Sequence, residues 1–360
     1  MAGVRAPVRA AGEACPALCS MDEKGYEAII LRKAANIAWL IGGRAHVPTT
    51  LELACMDLVV RRSGIEVITN KIEAERLIDE ELSGDEKVTV VNWFESRDGQ
   101  LPSGEKVAID GPDSLRINAS GEIESLRRNL NPHELLRLRE LARDTAVSLG
   151  IAMRSVESSD SEVNAAGKIA SQLWARDIEP VVLLVAGEMR LKKYRHPLPT
   201  REKIGERYMG VVCGRRKGLI ASVTRIATFS PLSSEDQDWY SRLLAVERVF
   251  LNESKVGVKL SQVVEKGIAE YIKQGFDSDE WTRHHQGGPT GYLPRDFPAH
   301  TKSEQTISPD NALAWNPSGK GWKVEDTIFI GANGLEVLTV DSDWPNEMYF
   351  ERARPGILER

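Results

Sequence analysis

Two strand-like runs around a short basic turn constrain this chain more than any other feature. Met209-Gly210-Val211-Val212-Cys213 and the run from Gly218 to Thr228 flank Gly214-Arg215-Arg216-Lys217-Gly218. β-rich runs on either side of a glycine-bounded polar turn predict a hairpin. An isolated His196-Pro197 stands upstream, joined to the hairpin by a basic, polar linker.

The 360 residues leave room for two domains. A hydrophobic content of 41% and a charged content of 28% are ordinary for a soluble globular chain. The net charge of −6 gives no electrostatic reason to expect nucleic acid or an anionic membrane as a partner. No apolar run approaches the roughly 18–20 residues of a transmembrane helix. Cys15, Cys19, Cys55 and Cys213 are too few and too irregular for a disulfide scaffold, so a reducing cytoplasm is expected. Residues 1–20, rich in Ala, Gly, Pro and Arg, read as a disordered leader or an over-extended start, with patterned chain beginning at Met21.

From Tyr26 to Asp110 the pattern is that of a small α/β domain, residues 21–128. Ala34 to Ile41 reads as a strand ending at Gly42-Gly43-Arg44. Leu51 to Val60, Ile65 to Thr69, Lys87 to Phe94 and Val107 to Asp110 read as further strands, and Lys71 to Leu82 as an amphipathic helix. Asn131-Pro132-His133-Glu134 predicts a helix start, with an Asn cap, Pro in the first turn and Glu after it. That helix runs to about Leu149, with His133 on its surface. Further helices are expected over about Ser161–Trp174, Ser234–Glu253 and Ser261–Gln274, and a strand over Val181–Val185.

The order of parts resembles the creatinase, prolidase and methionine aminopeptidase superfamily, the pita-bread fold. In that family a His precedes a strand ending Asp-x-Gly, and the next strand reads Gly-Tyr-x-x-Asp-x-Thr-Arg. The matching pieces are His196, Val212-Cys213-Gly214 and Gly218-Leu219-Ile220-Ala221-Ser222-Val223-Thr224-Arg225. Later segments match in order: His284-His285-Gln286-Gly287-Gly288, Trp315-Asn316-Pro317, and Glu325-Asp326-Thr327. The resemblance implies an α/β (α+β) chain. Its C-terminal pita-bread domain, residues 129–360, has pseudo-twofold helix-helix-strand halves and follows a smaller creatinase-like N-terminal domain. It also implies a homodimer.

The family's five metal-ligand positions fall on Val212, Ser222, His285, Asn316 and Glu325. An alkyl group has no lone pair to offer a divalent ion. The expected cofactor is therefore none, or one divalent ion held by His285, Glu325 and His284. In the metal-free creatinase branch, the His matching His196 does the acid–base work. An imidazole with pKa near roughly 6.5 both gives and takes a proton at neutral pH. The candidate catalytic residues are His196, His285 and Glu325, with Glu325 orienting His285 or pairing with Arg225.

His284 and His285, read as a strand, point to opposite faces, with His285 toward the site. Val212 likewise faces the site and Cys213 the core. Candidate substrate-binding residues are Arg44 and Trp39 from the Trp39-Leu40-x-Gly42-Gly43 turn, with Arg225, Tyr292 and Arg295. The expected function is a metal-free or metal-poor hydrolase or lyase. It would cleave a C–N bond near a carboxylate in a small amino-acid- or peptide-like substrate. The alternatives are a non-catalytic descendant binding a peptide or protein, and a conventional metallo-aminopeptidase with unusual ligands.

Overall fold

The computed structural model describes residues 15–360. The chain divides into one unit running to Arg127 and including Lys217–Leu219, and a second made of Arg128–Arg216 and Ile220–Arg360. No helix among the described residues is long and apolar enough to cross a membrane.

Alternating apolar residues build a six-stranded sheet in the first unit. Its order is Lys87–Val91, Gly64–Asn70, Leu53–Arg61, Ala28–Lys33, Val107–Ile109, Ile117–Asn118. Leu53–Arg61 and Gly64–Asn70 pair antiparallel, whereas Val107–Ile109 runs parallel to Ala28–Lys33. Ile30, Val59, Ile68 and Ile109 meet in the core.

Ala34–Ile41, expected as a strand, is a helix. An eight-residue apolar run buried from Asn36 onward carries no period to separate the two states. The helix ends where Gly42 adopts a φ of 69° and donates its amide to the Ala38 carbonyl at 2.8 Å. Asp110 accepts from the Arg32 and Lys33 amides and from Asn36 Nδ2, which fixes the start. The helix expected over 71–82 is shorter: Ala74–Arg76, continued by a wider turn over Leu77–Glu81. The leader expected over residues 1–20 is corrected at its end, because helix Pro16–Lys24 crosses Met21 and buries it. Residues 1–14 lie outside the described residues.

The second unit repeats one motif. Helices Pro132–Ser155 and Glu162–Trp174 pack together ahead of the antiparallel strands Glu179–Gly187 and Arg207–Arg216. Helices Ser234–Glu253 and Leu260–Lys273 do the same ahead of Gly287–Thr290 and Asn311–Trp315. The capping box at Asn131 and Glu134 is formed, each side chain accepting the other's backbone N–H. One four-stranded sheet contains Glu179–Gly187, Arg207–Arg216, Leu219–Thr228 and the C-terminal Leu358–Glu359. The other runs Gly287–Thr290, Asn311–Trp315, Asp326–Gly331, Gly334–Val337. They meet at an antiparallel bridge between Thr224 and Glu325, and Ile220 donates its amide to the Gly291 carbonyl at 2.7 Å. Val211, Ile226, Phe250, Leu313, Trp315 and Ile328 lie in the core beneath.

Candidate functional site

The hairpin turn has two residues. Lys217 and Gly218 both have positive φ, 46° and 83°, as a tight primed turn requires. The family resemblance set Val212 at a ligand position on the site side, with Cys213 facing the core. That assignment is corrected. Counting back from a two-residue turn sets Cys213 across from Ser222, whose hydroxyl donates to the Cys213 sulfur at 3.2 Å. Burial, then the Glu325 charge, push the Cys213 thiol up to about 11, so it is protonated at neutral pH.

Ser222 and Glu325 come together at the join of the two sheets. Thr224 Oγ1 donates to Glu325 Oε2 at 2.7 Å, and Lys323 Nζ stands 3.2 Å from the same oxygen. Arg295 Nη2 donates to Oε1 at 2.7 Å, while its Nη1 reaches the Ser222 hydroxyl at 3.3 Å. Burial alone would raise the Glu325 carboxyl. Lys323 and Arg295 outweigh it and hold the group down at about 2. The ion pair considered between Glu325 and Arg225 is not formed. Arg225 pairs instead with Asp326 at 3.0 Å and donates to the Thr339 carbonyl.

Three imidazoles converge beside this group. His196 Nε2 and His284 Nε2 are 2.9 Å apart, and one ring nitrogen from each of His196, His284 and His285 lies within 4.8 Å of the others. The opposite-face reading of His284 and His285 is corrected: the pair lies just before strand Gly287–Thr290, not in it, and the rings stack at 4.6 Å. Gln286 holds this bend, donating to the Trp281 and His284 carbonyls. Arg195 pairs with buried Glu280 and so anchors the His196 segment. His196 is exposed and His284 is buried.

Gly287 and Gly288 serve close backbone packing. Gly288 has a φ of 151°, and a Cβ there would sit 2.5 Å from the Phe297 carbonyl oxygen.

Desolvation, then the positive charge on Lys323, lowers the pKa of His196 and of His284, while His285 is brought down to about 4 by burial and Arg295. All three rings are neutral at pH 7. Since His285 titrates ordinarily at 6.5, the unfolded chain binds protons that the folded chain refuses as the pH falls. Its contribution to stability is complete above 6.5 and is lost down to about 4, with His284 acting in the same direction. The thermal midpoint should fall through that window, and His285→Gln should flatten the fall. A midpoint level with pH would contradict the burial of neutral rings.

The remaining predicted residues lie elsewhere. Tyr292 is buried and donates to Glu134 Oε1 at 2.7 Å. Arg44 and Trp39 belong to the first unit. Arg44 Nε pairs with Glu81 at 2.8 Å and its Nη2 with Glu80, while Trp39 is in that unit's core. Sequence reasoning missed Lys323, although it stands two residues before Glu325. Residues two apart in extended chain share a face, and that spacing was the available signal.

No protein-family model matches the chain. YkvY of Bacillus subtilis (strain 168), provisionally named a dipeptidase, is 19% identical over 237 residues, 62% of this chain. The matched region spans 63% of that protein's length, less than two thirds. The prolidase from Pyrococcus horikoshii OT3 superposes with a TM-score of 0.76 at 15% identity, covering 91% of this chain and 97% of its own. The fold is the two-domain pita-bread fold of the prolidases. The N-terminal domain of FACT complex subunit SPT16 from chickpea (Cicer arietinum) shares this fold, with a TM-score of 0.69 at 13% identity over 90% and 94% of the two chains.

The prolidase likeness raises the question of a two-ion centre, and the donors present do not suit one. At this join of the pita-bread sheets stand a protonated thiol, a hydroxyl and one carboxylate. Both oxygens of that carboxylate are engaged by protein cations. Asn316 is buried nearby in sequence to the second sheet, and an amide adds no charge. Two dications need several carboxylates to neutralise and bridge them. For a single ion, the converging group among the described residues that could hold one is His196, His284 and His285, rather than the expected set of His285, Glu325 and His284. Arg295 and Lys323, whose fields lower the histidine pKa values, also oppose a dication there.

Proposed function

We propose that the second unit acts on a small amino-acid- or peptide-like molecule, breaking a C–N bond near a carboxylate without a two-ion centre. The observation that carries this reading is the exposed His196 ring, neutral at pH 7 and 2.9 Å from the buried His284 ring. In the tautomer that donates Nε2–H to His284, the His196 ring keeps Nδ1 as the lone-pair nitrogen that takes a proton.

In hydrolysis, His196 takes a proton from water as the water oxygen bonds to the substrate carbon. It returns that proton to the nitrogen as the C–N bond breaks. In an elimination it takes the proton from carbon, the electron pair forms the new double bond, and the nitrogen leaves. His284 holds the His196 ring, and His285 packs against both. The names of the similar proteins, a prolidase and a provisional dipeptidase, favour amide cleavage as the first chemistry to assay.

The assay is amine release from Xaa-Pro dipeptides, other dipeptides and guanidino acids, run with a chelator present. Turnover that persists with the chelator is the expected result. Turnover that appears only on adding a divalent ion would overturn the reading.

A second reading has its own observation. Glu325 is fully engaged and Cys213 is protonated, so apart from the histidines the site offers no free acid–base group. A binding unit without chemistry fits that arrangement, and a subunit of a larger complex shares the fold. Absence of turnover across all three substrate sets, with tight binding of a peptide, would favour it.

A further inference from the structure

Two buried charge clusters lie side by side in the second unit, and only one of them balances. Around Asp326, two guanidiniums face two carboxylates: Arg225 pairs with Asp326, and Arg354 pairs with both Asp326 and Glu247. Around Glu325, two cations face one carboxylate. Lys323 and Arg295 have side chains only 4% and 9% exposed, and both pair with Glu325. Among the described residues, Glu325 is the one carboxylate in ion-pair contact with either. The three neighbouring imidazoles carry no negative charge in either protonation state and supply no counter-charge.

A buried, unbalanced cation is costly unless something compensates it. Unused donors are present as well. Arg295 Nε is buried without a partner, and the Lys323 ammonium has three N–H groups with only Glu325 Oε2 in ion-pair contact. Arg295 also spans from Ser222 to Glu325, two positions that the family resemblance assigns to metal ligands. Its guanidinium fills the gap between them.

We infer that Lys323 and Arg295 are resident cations standing in place of an ion at Glu325, and that their unbalanced charge makes this an anion site for a carboxylate. The inference rests on reading the site as substrate-binding, and it names the residues that recognise the substrate's anionic group. Lys323 is the specificity-determining residue. Glu325 positions the two cations and does not take part in proton transfer.

The test compares N-acetylglycine with N-acetylglycinamide, which has the same frame without the carboxylate, at constant ionic strength. Thermal unfolding is followed for the whole protein and for Lys323→Met and Lys323→Arg. N-acetylglycine should raise the midpoint and the amide should not. Lys323→Met should weaken the half-saturating concentration by roughly tenfold or more, and Lys323→Arg should retain most of the response. With no probe added, Lys323→Met should unfold no lower than the natural chain, because it removes an unbalanced buried charge.

Equal responses to the two probes, no response to either, or an undiminished response in Lys323→Met would overturn the inference. So would a Lys323→Met chain that unfolds well below the natural one, since Lys323 would then be balanced already. Carboxylate binding without turnover of any substrate would leave the anion site standing and sink the enzyme reading. Turnover indifferent to loss of the substrate carboxylate would do the reverse.

Discussion

Replacing His196 by alanine should lower kcat/KM for the C–N substrate by roughly a hundredfold to ten-thousandfold, the range for losing a positioned acid–base group. The His196 ring is exposed, so the variant should unfold at close to the temperature of the natural chain. In the natural chain, kcat/KM should fall on the acid side with an inflection below the ordinary histidine value of 6.5. Burial and then Lys323 hold the ring in its neutral form to lower pH. The inflection should vanish with the ring. Full turnover in His196→Ala would remove the residue from the mechanism.

The largest stability effect is expected at Arg354. Its guanidinium is buried, donates from Nε to Glu247 Oε2 at 2.8 Å and reaches Asp326 Oδ2 at 2.5 Å. Burial alone would lower its pKa, and the Glu247 and Asp326 carboxylates reverse that and raise it. Through these contacts Arg354 ties the C-terminal hairpin, Asn346–Tyr349 and Arg352–Pro355, to helix Ser234–Glu253 and to strand Asp326–Gly331. Arg354→Met leaves two buried carboxylates facing Arg225 alone. The expected loss is about 3–5 kcal/mol, read from denaturant unfolding. Arg354→Met combined with Glu247→Leu should recover much of it, because the stranded carboxylate goes with its partner. A loss below about 1 kcal/mol in the single variant would show that the cluster is solvated.

Local signals explain which parts of the fold could be read from sequence. The Asn131 cap, the helix Ser234–Glu253 and the strands Leu53–Arg61 and Gly64–Asn70 carry short-range chemistry that tertiary contacts did not override. Ala34–Ile41 did not, because a segment buried nearly all round has no polar face to mark its period.

The candidates His196, His285 and Glu325 were each chosen from ordered motifs. Their grouping depends on details that the motifs leave free. Cys213 was set on the wrong face because aligning Val212 with the family's Asp left the hairpin one residue out of register, and Ser222 stands against Cys213. His284 was set apart from His285 because the pair was read as part of a strand, whereas it stands between the helical turn Glu280–Arg283 and strand Gly287–Thr290. Lys323 went unread because a lysine in a polar stretch is ordinarily a solvated one. The bridge of Thr224 to Glu325 draws this stretch into the buried join of the two sheets.

In the function proposed, this pita-bread unit works without ions at Glu325. Metal content tests it most directly. The protein is produced with added manganese, cobalt, zinc and iron, purified without chelators and assayed by plasma mass spectrometry beside Glu325→Gln. Far less than one ion per chain is expected in both, with the fold intact. One or two ions per chain in the natural protein, lost in Glu325→Gln, would contradict it.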